Sequence, residues 1–124
     1  MAESPKFEVL FEAPRNLIRI RFIGHVSAAD MKPYSEAMTS ILNLTRKGFT
    51  LLTDLSSLET MELDCVPGLT KVMDALKARG IGAVVRIIPD PAKDIGFNIL
   101  SVVHYRRGVR VVTCQTAAEA ETAV

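Results

Sequence analysis

The sequence predicts an α/β fold: a mixed sheet of about five strands, an N-terminal antiparallel hairpin followed by parallel βα units, with about four helices. Two observations lead there. The chain opens with two stretches in which apolar and polar residues alternate with period two, joined by a short turn. Beyond them, apolar strand-like runs alternate with stretches of helical spacing, an order that calls for parallel crossovers.

In "KFEVLFE", Phe7, Val9 and Phe11 share one face, while Glu8, Leu10 and Glu12 share the other. "NLIRIRFIG" repeats the pattern, with Ile18, Ile20 and Phe22 opposite Arg19 and Arg21. Pro14 and Asn16 supply the turn, so the two strands pair as a hairpin. In "HVSAADMKPYSEAMTSILNLTRKG", Tyr34, Ala37, Met38, Ile41 and Leu42 form one apolar stripe. Asp30 is its expected N-cap, Pro33 fits the first turn, and Gly48 is the expected stop after Arg46 and Lys47.

"FTLLTDL" reads as a strand covered on both faces. A loop then leads to a second stripe of Val66, Leu69, Val72, Met73 and Leu76, closed by Gly80. "GAVVRII" is another buried strand. A third helix is expected from Asp90 and Pro91 onward, with Ile95, Ile99, Val102 and Val103 on its apolar side. "VRVVT" is a last strand, and Thr116 with Glu119 has the spacing of a capping box on a terminal helix.

The 124 residues, 48% apolar and 23% charged, suit one domain spanning 1–124 with a single core. A net charge of +1 supplies no long-range pull toward nucleic acid or an anionic membrane. No apolar run reaches membrane-spanning length, and "MAESPKFEVLFEAP" is broken by acids and Pro5 where a leader would be apolar. Two cysteines, Cys65 and Cys114, make no disulfide framework, so a cytoplasmic location is expected.

Several stretches together resemble the STAS domain of anti-sigma-factor antagonists and of sulfate-transporter tails. "IRFIGHVSAAD" is similar to that family's strand, glycine and loop entering the first helix. "FTLLTDLSSLETMEL" resembles its central strand, and "LTKVMDALKARGIGAVVRII" its helix, turn and next strand. "VRVVTCQTAAEAETAV" is similar to its last strand and helix. The resemblance implies a STAS-like scaffold and a non-enzymatic regulatory role through a protein partner, a kinase or sigma-factor regulator. It also implies an Asp-Ser-Ser-Gly type of motif before the second helix, with a phosphorylatable serine. Counting from Asp54 without a gap places that motif on "ELDC", with Asp64 at the acceptor position. Aligning Asp64 and Gly68 instead puts Cys65 and Val66 where the serines belong. Either way the expected hydroxyl is gone.

The surface expected to bind a partner comprises Asp64, Cys65, Val66, Pro67, Leu69 and His25, from the loop, the second helix and the "GHVSAAD" segment. Ser56, Ser57 and Thr60 are the hydroxyls left to accept a phosphate. Cys65 near a helix N-terminus allows a thiol-based redox sensor, with His25 as its base. A small apolar or lipid-like ligand held between the sheet and the third helix is a further alternative. His25, Cys65, His104 and Cys114 lack metal-ligand spacing, so no metal is expected, and no cofactor motif is present. Arg106, Arg107 and Arg110 read as cations closing a helix rather than as a phosphate-binding patch. The third and fourth helices carry enough apolar residues to support a homodimer.

Overall fold

The computed structural model describes residues 6–89 and 109–124. The helix expected after Asp90 lies outside them. In chain order the strands are β1 (Phe7–Glu12), β2 (Leu17–Phe22), β3 (Gly24–Val26), β4 (Thr50–Asp54), β5 (Leu58–Met61), β6 (Ala83–Ile87) and β7 (Arg110–Cys114). The helices among the described residues are α1 (Met31–Leu42), α2 (Val66–Arg79) and α3 (Ala117–Ala123).

Among the described residues the main sheet has five strands in the order β1-β2-β4-β6-β7. β1 and β2 pair antiparallel around Asn16, whose φ of 52° supplies the left-handed turn residue. The other pairings are parallel, as crossovers through helices require. The mixed α/β architecture predicted from the sequence is therefore observed, and a second sheet of two strands, β3 and β5, is added to it.

Alternation along the strands divides the core in two. Ile18, Ile20, Phe22, Leu51 and Val84 pack with Tyr34, Met38 and Leu42 of α1 and with Leu69, Val72, Met73 and Leu76 of α2. Leu17, Leu52, Val85, Ile87 and Cys114 face the other way, where Ala120 of α3 covers them. Tyr34 sits between Phe22 and Phe7, with ring centroids 5.2 and 5.8 Å away. Its burial pushes the phenol pKa up, so it stays neutral.

Asp30 is the N-cap residue of α1, as expected, but with helical φ and ψ its carboxylate makes no capping bond; it accepts instead from the Ser27 N–H (2.8 Å) and hydroxyl (3.1 Å) in a preceding 3-10 turn. The other end differs from expectation. α1 stops at Leu42, well before Gly48, because other groups already satisfy the Leu42 carbonyl. The Thr45 hydroxyl (2.7 Å) and the Arg79 Nε (3.0 Å) both donate to it. α2 ends where the glycine predicts, with Gly80 at φ 95°. The Glu119 N–H donates to Thr116 Oγ1 (3.2 Å), which caps α3 as expected.

α3 is tied to the hairpin by charge. Arg19 bonds Glu12 and also Glu121 (2.6 Å), while Arg15 bridges the same two acids at 2.9 and 3.3 Å. Hydrogen bonds from Arg19, then Arg15, hold the Glu12 carboxyl below its usual range, and Arg19 does the same for Glu121. A depressed folded-state pKa gives stability that is complete above the unfolded value, about 4.3 for Glu, and lost as pH falls through the folded one. The melting temperature should therefore decline below about pH 4.3. Glu121→Gln, with one such carboxylate fewer, should decline less steeply in an acid series followed by circular dichroism.

Candidate functional site

The region that the sequence leaves as a loop after Leu55 is built into the small sheet. β3 leaves the carboxyl end of β2, β5 leaves that of β4, and the two pair in parallel, His25 beside Thr60 and Val26 beside Met61. Backbone bonds lock both ends of this platform: Gly24 N–H to the Ser57 carbonyl (2.9 Å) and Glu62 N–H to the Val26 carbonyl (3.0 Å). The carboxyl end of parallel strands is where α/β sheets commonly place binding sites.

Alternation along β3 decides what each residue can do. Val26 is buried, whereas His25 points outward with its side chain 53% exposed. The His25 ring bonds Thr60 Oγ1 through Nδ1 and lies 3.4 Å from Glu62 Oε2 through Nε2. Glu62 is a clasp: its other carboxylate oxygen accepts from the Ala28 N–H (3.1 Å), joining the platform to the turn that starts α1.

Cys65 lies on the inner side. It is completely buried, and its thiol is directed at the Val26 carbonyl (3.7 Å). Burial, then the negative charge of Glu62, raises the thiol pKa, which keeps it protonated. His25 and Cys65 therefore face opposite sides of β3. The reading of Cys65 as an activated thiol with His25 as base is corrected on both counts, geometry and protonation.

The remaining expected contact residues divide in the same way. Asp64 and Pro67 are exposed and Val66 is half-buried, while Leu69 is 4% exposed and belongs to the core. Cys65 and Leu69 thus anchor the loop from beneath instead of forming its surface. Sequence reading missed Leu63, the most prominent side chain here at 86% exposed. Acids surround it in sequence (Glu59, Glu62 and Asp64), all exposed.

The hydroxyls are each engaged. Ser56 Oγ donates to Asp54 Oδ1 (2.6 Å), and the Ser56 N–H reaches the same oxygen (2.9 Å), closing an Asx-type turn. Ser57 Oγ accepts from Arg21 Nη2 (2.6 Å). Thr60 is exposed on the outer side of β5 beside His25.

Sequence reading also passed over Arg86, in the otherwise apolar β6. It is 2% exposed and donates to Thr113 Oγ1 (2.5 Å), in register with the buried Thr53 on β4. A cation inside an apolar central strand was the available signal.

On the face of the sheet that carries α3, a groove of about 250 Å³ is lined by Glu8, Leu10, Arg19, Arg21, Asp54 and Glu121, among others. Ile20, Leu52, Ile87 and Ala117 complete its lining, so charged and apolar side chains share its walls. The cavity anticipated beside the third helix lies outside the described residues.

No family model and no curated protein sequence matches the chain. Solved structures do. An uncharacterized DUF3478-family protein with a SpoIIAA-like fold from Shewanella loihica PV-4 superposes with a TM-score of 0.74 at 10% identity, covering 99% of this chain and 97% of that one. The anti-sigma factor antagonist SpoIIAA, in its unphosphorylated form, gives 0.64 at 16% identity over 94% and 96% of the two chains. An anti-sigma factor antagonist from Mycobacterium paratuberculosis gives 0.61 at 18%, over 100% and 98%. These likenesses establish the fold: it is SpoIIAA-like, of the STAS type that the sequence resembles.

Proposed function

We propose that the chain is a cytoplasmic, non-catalytic regulatory module that binds a protein partner through the β3–β5 platform and the start of α2. The observation that carries this reading is Leu63, 86% exposed at the tip of a loop that is otherwise bonded down on every side. A large exposed apolar side chain, flanked in sequence by Glu62 and Asp64, fits an apolar pocket with cationic walls. His25, Asp64, Val66 and Pro67 make up the rest of the surface.

The fold is shared with proteins named anti-sigma factor antagonists, one of which, SpoIIAA, has been solved in phosphorylated and unphosphorylated forms. This chain carries no serine at the expected position, and Cys65, one of its stand-ins, is buried. The module is therefore read as constitutively competent for its partner, a kinase or sigma-factor regulator. Of the three candidate hydroxyls, Ser56, Ser57 and Thr60, Thr60 is the one that lies on the exposed platform face beside His25, where a phosphate would add charge.

Capture experiments with the purified chain as bait test this. Leu63→Asp should reduce capture of the wild-type partner by about tenfold or more, as loss of an apolar anchor does. Its stability should stay within about 0.5 kcal/mol of wild type, because the side chain packs against little. Equal capture by both forms would remove the platform from the account.

A further inference from the structure

Among the described residues, β1 is an edge strand, paired with β2 on one side and with no other strand of the main sheet. One bond fixes which of its residues face inward: the Ile23 N–H donates to the Lys6 carbonyl (2.9 Å). Hydrogen-bonded pairs alternate along an antiparallel ladder. In the observed register, Glu8, Leu10 and Glu12 therefore turn their backbone groups to Arg21, Arg19 and Leu17. Phe7, Val9 and Phe11 turn theirs outward, and no described residue bonds to them.

We propose that this edge docks on the same edge of a second copy, antiparallel about a twofold axis at Val9, giving one sheet that runs through both protomers. Backbone parity fits this. With the axis at Val9, each outward-facing residue meets another: Phe7 opposite the second copy's Phe11, and Val9 opposite Val9. That arrangement supplies about six backbone hydrogen bonds. The side chains fit as well. Phe7, Val9 and Phe11 are half-buried on the core side, and their counterparts extend the same apolar seam, with aromatic pairs directly across.

Charge selects the register. About Val9, Lys6 faces Glu12, and Glu8 faces Leu10, a residue left 59% exposed in the single chain. Sliding by one pair in either direction sets Glu8 against Glu8 or against Glu12, and like charges directly opposite are unfavourable. The devices that usually blunt an edge, an internal lysine, a proline or a bulge, are missing from "FEVLFE".

Light scattering on the full chain over a dilution series tests the pairing. Wild type should reach twice the monomer mass at high concentration. Val9→Pro should remain at monomer mass with an unchanged circular dichroism spectrum, because the lost N–H points away from β2 and proline is tolerated there. A readout that does not depend on proline is the double variant Glu8→Cys with Leu10→Cys. Those positions face each other across the axis as a non-hydrogen-bonded pair, the closest kind, and mild oxidation should convert the chain to a covalent dimer. Glu8→Cys alone should not cross-link. A monomer at every concentration, a dimer indifferent to Val9→Pro, or a double variant that cross-links no faster than Glu8→Cys alone overturns the proposal.

Discussion

Phe22→Ala should lower the stability by about 3–5 kcal/mol, the range for removing a fully buried aromatic side chain. Phe22 is 1% exposed at the end of β2, where the main sheet hands over to the platform strand β3. Its ring lies 5.2 Å from that of Tyr34, which also meets Phe7 edge-on, so one side chain couples the hairpin to α1. Truncation leaves a cavity bounded by strand backbone and helix, neither of which can collapse freely. Against a typical total of about 5–15 kcal/mol, the loss is a large share of what keeps the chain folded. Thermal denaturation should show a fall of roughly 10–20 °C. Phe22→Leu, which keeps most of the volume, should recover much of it.

Gly82→Ala should also destabilise, by a smaller amount and for the opposite reason. A Cβ at residue 82 would lie 2.8 Å from the Gly48 carbonyl oxygen, 3.1 Å from its carbon and 3.2 Å from its Cα. All three are backbone atoms, so no side-chain rotation relieves the overlap. The approach is close because the loops before β4 and β6 are bonded together there. Gly48 N–H donates to the Gly80 carbonyl (2.7 Å), and Gly82 N–H to the Phe49 carbonyl (2.8 Å). Adding one methyl group forces these two strand entries apart, at a cost of about 1–3 kcal/mol or more. Urea denaturation measures it: the midpoint should fall while the slope is unchanged. Gly48→Ala is the control for sterics, since nothing lies within 4 Å of a Cβ there and only its φ of 87° resists the change.

Where the sequence was legible, one physical cause acted alone. Period two in "KFEVLFE" and "NLIRIRFIG" reflects a hairpin with one covered face, and the pattern survives intact in the structure. The stripe from Leu69 to Leu76 and its glycine stop describe α2 for the same reason. Legibility failed where tertiary contacts took over. α1 gives up its expected run to Gly48 because Thr45 and Arg79, from outside the helix, satisfy the carbonyl of Leu42. β3 and β5 are three and four residues long, and their outward residues are polar, so no periodicity announces them.

The site suffered from the same limit. His25, Asp64 and Pro67 are exposed and Val66 is half-buried, but sequence offers no way to tell that Cys65 turns inward beneath Val26 or that Leu63 turns outward. Leu63 and Leu69 look alike in the sequence; only the turn preceding α2 separates an exposed side chain from a core one. A loop residue's orientation depends on bonds such as Cys65 N–H to the Glu62 carbonyl (3.0 Å), which no local pattern encodes.

Site-specific photo-crosslinking in living cells tests the central claim most directly. A photoreactive side chain at Leu63, and another at the exposed Lys71 of α2, would be compared in otherwise identical chains. The account predicts a discrete adduct with one protein from position 63, absent from position 71 and reduced by His25→Ala in the same chain. Equal labelling from both positions, or no protein adduct from position 63, would contradict it.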